Sequence, residues 1–165
     1  MYLKFLIRRA TVADMPQVIQ LDFAAFSPYG TTESPKIIRA RQQIFPEGFV
    51  VAESAGRIVG YGSSEKWPTM REPGLDENPY DTHDSDGSIF CITGMAVAEA
   101  YRRQGIGTAM TRRLIHIARA HGCTHVVLET THAQAFYHRL GFEILTERQE
   151  RGVRLSIMVK QLQGI

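Results

Sequence analysis

The stretch Tyr101-Arg102-Arg103-Gln104-Gly105-Ile106-Gly107-Thr108 carries the strongest chemical signal in the chain. Two arginines precede two glycines set one residue apart, and a helix-like run follows. A helix N-terminus presents unpaired N–H groups and a partial positive charge, and phosphates bind there readily. Glycines at such a start remove side chains that would block close approach and tolerate backbone angles that other residues resist. Arg102 and Arg103 can add charge-assisted contacts. The pattern predicts an anion held over residues 104–108. It is neither of two related phosphate patterns. Met110 breaks G-x-G-x-x-G, and no Gly-Lys-Ser/Thr follows that would make a Walker loop.

A second cluster of reactive types lies between Trp67 and Ser88. It holds Glu72, Asp76, Glu77, Asp81, Asp84 and Asp86 against the single cation Arg71. Within it, Asp81-Thr82-His83-Asp84-Ser85-Asp86-Gly87 hints at a calcium loop and fails the template. Thr82 occupies the first ligand position and Thr93 the twelfth, so no metal is expected. Cys91 and Cys123 have no metal spacing and make no disulfide framework; they read as reduced thiols. His116, His121, His125, His132 and His138 scatter over helices and turns as surface residues.

These groups need elements to hold them. Leu3 to Ala10 reads as an opening strand. Val12, Met15, Val18, Ile19, Phe23 and Phe26 then recur at helical spacing. Thr11 or Asp14 can cap that helix, and Pro16 fits only near its start. A second helix begins at Ser34, with Pro35 in its first position. Phe49–Glu53 and Ile58–Ser64 read as a hairpin around Ala55-Gly56. The prolines, glycines and aspartates of residues 67–88 predict a long loop, of the kind that is functional or mobile. Ile89 to Val97 reads as a buried strand ahead of the glycine motif. Ile106, Met110, Leu114, Ile117 and Ala118 form the next apolar stripe, which Gly122 ends. A strand at residues 124–130, a short helix at 132–140 and two strands around Gly152 complete the chain. The unit from Ile89 to Glu129 is expected to be a parallel crossover flanked by antiparallel hairpins. The expected fold class is α/β, a mixed, mostly antiparallel twisted sheet of six to seven strands with helices on both faces.

Composition narrows the classes further. The chain has 165 residues, expected to form a single domain over 1–165. Its 19 basic and 17 acidic residues leave a net charge of +2, too balanced to argue for a nucleic-acid or membrane surface. Arg112, Arg113 and Arg119 on one helix read as a solvated face rather than a nucleic-acid site. The N-terminal stretch lacks the apolar length and cleavage site of a signal peptide, and no run of about eighteen apolar residues exists. A cytoplasmic protein is the expectation.

Val97 with Arg102-Arg103-Gln104-Gly105-Ile106-Gly107 and the following amphipathic helix resembles the acetyl-CoA motif of the GNAT acetyltransferases. Ala135 to Leu145, "AFYHRLGFEIL", resembles that family's second motif. The two lie in the family's order with one strand between them, and the resemblance spans nearly the whole chain. It implies an acetyl-CoA-dependent N-acetyltransferase that passes an acetyl group directly to a primary amine of a small molecule or peptide. It implies coenzyme A as cosubstrate, with its pyrophosphate on the amides of residues 104–108 and its pantetheine arm along Met95, Ala96 and Val97. Cofactor-binding positions carried over are Met95, Ala96, Val97, Arg102, Arg103, Gln104, Gly105, Ile106, Gly107, Thr108, Thr130 and Phe136. An N–H near Met95 would polarise the thioester carbonyl, and Tyr137 would protonate the departing thiolate. Dimerisation is common in the resembling family, so a homodimer is among the implied partners.

The chain departs from the family pattern at two functional positions. Thr130 stands where an asparagine often contacts pantetheine. Cys91 stands where some members carry a glutamate base, and a cysteine is a poor base at neutral pH unless its pKa is lowered. Glu129, at the end of its strand beside the expected cleft, is the favoured proton acceptor. Glu65, His83, Asp84 and Asp86 are the other candidates, and a water relay is the rival route. In the resembling fold the loop before the central strand borders the acceptor, so its acids would form a rim for a cationic amine, with Trp67 and Tyr80 as an aromatic wall. The missing strand carboxylate keeps one alternative open: a non-catalytic acyl-CoA sensor or scaffold of the same fold.

Overall fold

The turn at Ala55-Gly56 folds back β2 (Val50–Ser54) onto β3 (Arg57–Trp67), with both turn residues in the left-handed region that a two-residue hairpin loop demands. The computed structural model describes residues 4–162. The expected opening strand is β1 (Leu6–Arg9), and the expectation for Leu3 falls outside the described residues. Among the described residues the sheet has seven strands in the order β1-β2-β3-β4-β5-β7-β6. The remaining strands are β4 (Ile89–Val97), β5 (His125–Thr130), β6 (Glu143–Glu150) and β7 (Val153–Gln161). Every pairing is antiparallel except β4 with β5. The mixed, mostly antiparallel sheet with a central parallel unit is the expected architecture.

Two irregularities decide where a ligand can enter. The parallel pair β4–β5 is in register only from Ile89–His125 to Cys91–Val127. Beyond that the two strands part, although β4 runs on to Val97 and β5 to Thr130. The edge of β4 over residues 92–97 that faces β5 thus lacks a ladder partner among the described residues. A register shift between Ser63 and Ser64 leaves Thr93 as an extra residue on β4, and such a bulge bends the strand.

Helices cover both faces. Helix α4 (Ile106–Ala120) buries Ile106, Met110, Leu114, Ile115 and Ala118. A methyl placed on Gly60 or Gly62 would meet Met110, Ile106 or Leu114, so the central strand comes close to α4. Deleting a side chain such as Leu114 would cost about 2 to 5 kcal/mol. Helix α5 (Gln134–Arg139) joins the same core through Tyr137. On the opposite face lie α1 (Met15–Phe26) and α2 (Pro35–Ile44), packed through Met15, Val18 and Ile38 against Phe49 and Tyr61. Ser34 caps α2 by accepting from the Ile37 amide at 3.3 Å, as its spacing suggests.

Three expectations need correction. Phe23 and Val12 are exposed, at 65% and 64%, while Asp22 is buried. The helix turns a polar residue inward because Tyr61 waits there to bond it. Strand β3 does not stop at Ser64 but runs to Trp67, which places Glu65 inside a central strand. The loop of residues 67–88 is not patternless. It contains the short helix α3 (Pro79–Thr82), capped by Asn78 through the Tyr80 amide.

Candidate active site

A cleft of about 820 Å³ opens where β4 and β5 part. Its lining draws on the start of α4 (Gly105 to Thr108), the free edge of β4, the end of β5 and helix α5. It continues to the α1–α2 face, where Asp22, Glu33, Arg41, Glu65 and Trp67 line it. The space therefore passes through the sheet at the splay and has two chemically different ends.

The first end is built of backbone. The first hydrogen bond of α4 runs from the Ala109 amide to the Gly105 carbonyl. The amides of residues 103–108 donate to no group among the described residues. Arg103 and Gly105 both take positive φ, 64° and 86°, which turns the chain into the helix and gathers those amides. Gly105 suits that left-handed angle, and a Cβ there would meet nothing within 4 Å. A Cβ on Gly107 would meet only the rims of Phe136, at 3.4 Å, and Val97. The cradle is open, and its donors suit a phosphate. Arg102 is partly engaged, since its Nε donates to the Val97 carbonyl at 3.1 Å. Arg103 lines the cleft, and the exposed Gln104 stands outside the lining.

Tyr137 lies beside this end. It is buried between Phe136 and Phe142, with ring centroids 4.9 and 5.6 Å away. Its hydroxyl bonds no group among the described residues and Tyr137 lines the cleft. Burial pushes the phenol well above its ordinary range, so it holds its proton until a strong base forms nearby. Thr130 caps the turn into α5, its hydroxyl accepting from the Ala133 amide at 3.0 Å.

The second end is built of side chains. The α1–α2 face of β3 carries Tyr61, Ser63, Glu65 and Trp67 in alternation. Tyr61 donates to Asp22 Oδ1 at 2.6 Å, and the Glu33 amide donates to Asp22 Oδ2 at 3.3 Å. Burial still pushes the Asp22 carboxyl up to about 6, against the pull of those two donors. Arg41 and Glu33 form a buried fork, with one contact at 2.7 Å. Glu65 Oε1 accepts from Trp67 Nε1 at 2.7 Å and Thr82 Oγ1 at 2.8 Å. Neither the buried Asp22 nor the Arg41–Glu33 pair carried a sequence signal. Their partners lie on separate elements, so no spacing within one element marks them.

Glu129 lines the cleft but is not placed to take an amine proton. Arg148 Nε and one Nη donate to its two oxygens, both at 2.7 Å. Burial pushes the carboxyl up and the guanidinium pulls it back, yet an incoming proton would have to displace one of those donors. Cys91 is fully buried, and burial pushes its thiol far up, so it stays neutral. His83, Asp84 and Asp86 lie outside the lining. The His83 ring accepts from the Lys66 amide at 3.1 Å, and Asp84 Oδ1 accepts from the Asp86 amide.

The acidic rim is also corrected. Asp76 pairs with Arg151 at 2.7 Å and accepts from the Ser34 amide, while Glu77 pairs with Arg71. Asp76 thereby fastens the loop to the start of α2 and to the β6–β7 turn, and Glu77 holds the loop to itself. Arg71 also covers the Trp67 ring at 3.8 Å, and Tyr80 bonds Gln43 away from the cleft, so the expected aromatic wall is already occupied or absent. No group of metal-ligating residues occurs among the described residues.

The Acetyltransferase (GNAT) family profile matches residues 15–142. An uncharacterized N-acetyltransferase of Methanocaldococcus jannaschii is 29% identical over 170 residues, covering 94% of this chain and 91% of that protein. Among solved structures, Ard1 from Thermoplasma volcanium superposes with a TM-score of 0.77 at 21% identity, over 97% of this chain and 99% of that one. The structure of yncA from Salmonella typhimurium with its cofactor acetyl-CoA gives 0.71 at 21% identity, over 96% and 94%.

Proposed function

The chain belongs to the GNAT acetyltransferase family, and from that premise we propose that it transfers an acetyl group from acetyl-CoA directly to a primary amine. The amine belongs to a small molecule or a peptide. The observation that carries this reading is the junction in one cleft of unpaired helix-start amides, an unpaired strand edge and a buried phenol.

The coenzyme supplies an activated acyl thioester. The chain's own residues do the rest. Amides of residues 103–108, with Arg103 and the unused guanidinium nitrogens of Arg102, hold the diphosphate. The open edge of β4 at Met95, Ala96 and Val97 orients the pantetheine arm by backbone pairing, and the Met95 N–H polarises the carbonyl. Thr130 and Phe136 border the arm. Tyr137 donates its proton to the leaving sulfur; burial keeps the phenol protonated and makes it a weaker acid than an exposed tyrosine. Holding both reactants across the splay removes most of the entropic barrier to their meeting. Buried carboxylates at the far end suit a cationic amine over an anionic acceptor.

Calorimetry with CoA, and thiol release measured across a panel of primary amines with acetyl-CoA, test this reading. CoA binding and release with one amine class are the expected results. Binding without release for every amine would favour a sensor or scaffold. Failure to bind CoA would remove the reading altogether.

A further inference from the structure

Five carboxylates line the cleft: Asp22, Glu33, Glu65, Glu77 and Glu129. Four are fully engaged. Asp22 accepts from Tyr61 and the Glu33 amide. Glu33 faces the Arg41 fork and accepts from the Asp76 amide. Glu77 holds Arg71 and the Gly74 amide, and Glu129 holds Arg148. Glu65 differs. It is 1% exposed, its Oε1 is held by Trp67 and Thr82, and its Oε2 has no partner among the described residues. A buried carboxylate oxygen without a donor costs free energy on the order of 1 to 3 kcal/mol or more, so the site is built for a donor that arrives from outside.

Its place in the sheet says which donor. Glu65 pairs in register with Cys91 across β3 and β4. Directly paired residues point to the same face. Cys91 sits just before the strands part. The carboxylate absent from β4 at that point is thus supplied by its neighbour on β3.

Building on the acetyl-transfer reading, we propose that Glu65 Oε2 is the proton acceptor for the substrate amine and that the acceptor enters as a cationic ammonium seated on that oxygen. The ammonium gives one proton to Oε2. The freed lone pair forms the C–N bond to the thioester carbon. The C–S bond breaks with its electron pair on sulfur, and sulfur takes the phenolic proton of Tyr137. The second proton lost by nitrogen restores the phenol, and Glu65 returns its own to solvent. One proton is released in total. Trp67 and Thr82 fix the carboxylate plane, leaving Oε2 as the one free acceptor.

The charged groups around Glu65 set its window. Burial raises the carboxyl, Glu77 on the loop adds to that, and Arg41 on α2 opposes it together with the Trp67 and Thr82 bonds. The Cys91 thiol is neutral, and Glu129 is neutralised by Arg148. The balance raises the Glu65 carboxyl, with burial as the largest cause, and a raised carboxyl is a better base than a free one.

The test is Glu65→Gln, read in three ways. Turnover with the best amine falls roughly 100-fold, and the acid limb of kcat/KM against pH, lying above the ordinary carboxylate range, disappears. CoA affinity by calorimetry stays within about threefold, as for a distant site, and Glu65→Asp restores part of the turnover. Infrared difference titration of the wild-type protein, with no amine present, shows a carboxyl band in the same range that the Gln variant lacks. Unchanged turnover in Glu65→Gln, an acid limb that follows Glu129→Gln instead, or a band confined to the ordinary range would each overturn the assignment. Absence of CoA binding by the wild type would count against the acetyl-transfer reading itself.

Discussion

The two ends of the cleft are built on opposite principles. At the α4 end the recognition groups are main-chain amides and an unpaired strand edge, contributed by contiguous residues. At the α1–α2 end they are buried side chains from α1, α2, β3 and β5, held by partners from elsewhere in the chain, with Glu65 Oε2 left without one among the described residues. The first end needs glycine and a free helix start, and these can be supplied by a few neighbours in sequence. The second needs charges paired away from water, which only a completed fold can arrange. A site of the first kind depends on its glycines and its free helix start rather than on any one charged side chain. A site of the second kind is sensitive to each partner, because removing one leaves the other charge buried alone.

That contrast can be broken at its strongest point. Arg41→Met strands the 7%-exposed Glu33 and is expected to cost about 3 to 5 kcal/mol in urea unfolding. The double variant with Glu33→Gln should recover most of this. A single variant as stable as wild type would show that the pair carries little. At the other end, Gly107→Val puts branched carbons toward Phe136 and the mouth of the amide cradle. It should weaken CoA binding on the order of 100-fold, the loss of two or more charge-assisted bonds. Calorimetry checks the affinity, and a retained thermal transition shows that α4 still folds. Wild-type affinity would move the diphosphate elsewhere.

Two smaller effects sharpen the comparison. The Asp22 carboxyl is raised from 3.8 to about 6. A raised folded value favours the protonated form, so the stability this group contributes is complete below pH of about 4 and is lost as pH rises through about 6. Asp22→Asn should therefore gain on wild type by on the order of 2 kcal/mol between those limits. Melts across pH 4 to 8 measure it, and a difference that does not change with pH would contradict the buried, raised carboxyl. Tyr137→Phe removes one hydroxyl that bonds no group among the described residues. Turnover should fall about tenfold or more while CoA affinity stays within about threefold. Unchanged turnover would remove the phenol as the acid.

Much of the α4 end was legible before any coordinates. Gly105 and Gly107 follow two arginines directly, and the apolar spacing from Ile106 to Ala118 marks the helix they begin. Ser34-Pro35 marked α2 and Ala55-Gly56 marked the hairpin, because caps and tight turns are contracts between adjacent residues. The α1–α2 end was misread where pairing mattered. Glu129 stood correctly at the cleft, but nothing near it in sequence announces Arg148 on β6. The loop acids suggested an exposed rim, and Arg151 and Arg71 turned two of them into fastenings.

Residue order alone therefore determined the main strands and helices, their order and the helix start that can hold a phosphate, since these depend on backbone geometry over a few neighbours. Tertiary structure alone decided which carboxylate keeps a free oxygen. Asp22 meets Tyr61 and Glu129 meets Arg148 only after the sheet forms, and Glu65 faces Cys91 only through the β3–β4 register. The reason is physical: a carboxylate's reactivity is set by burial and by the donors within about 3 Å of it, and those neighbours are chosen by topology.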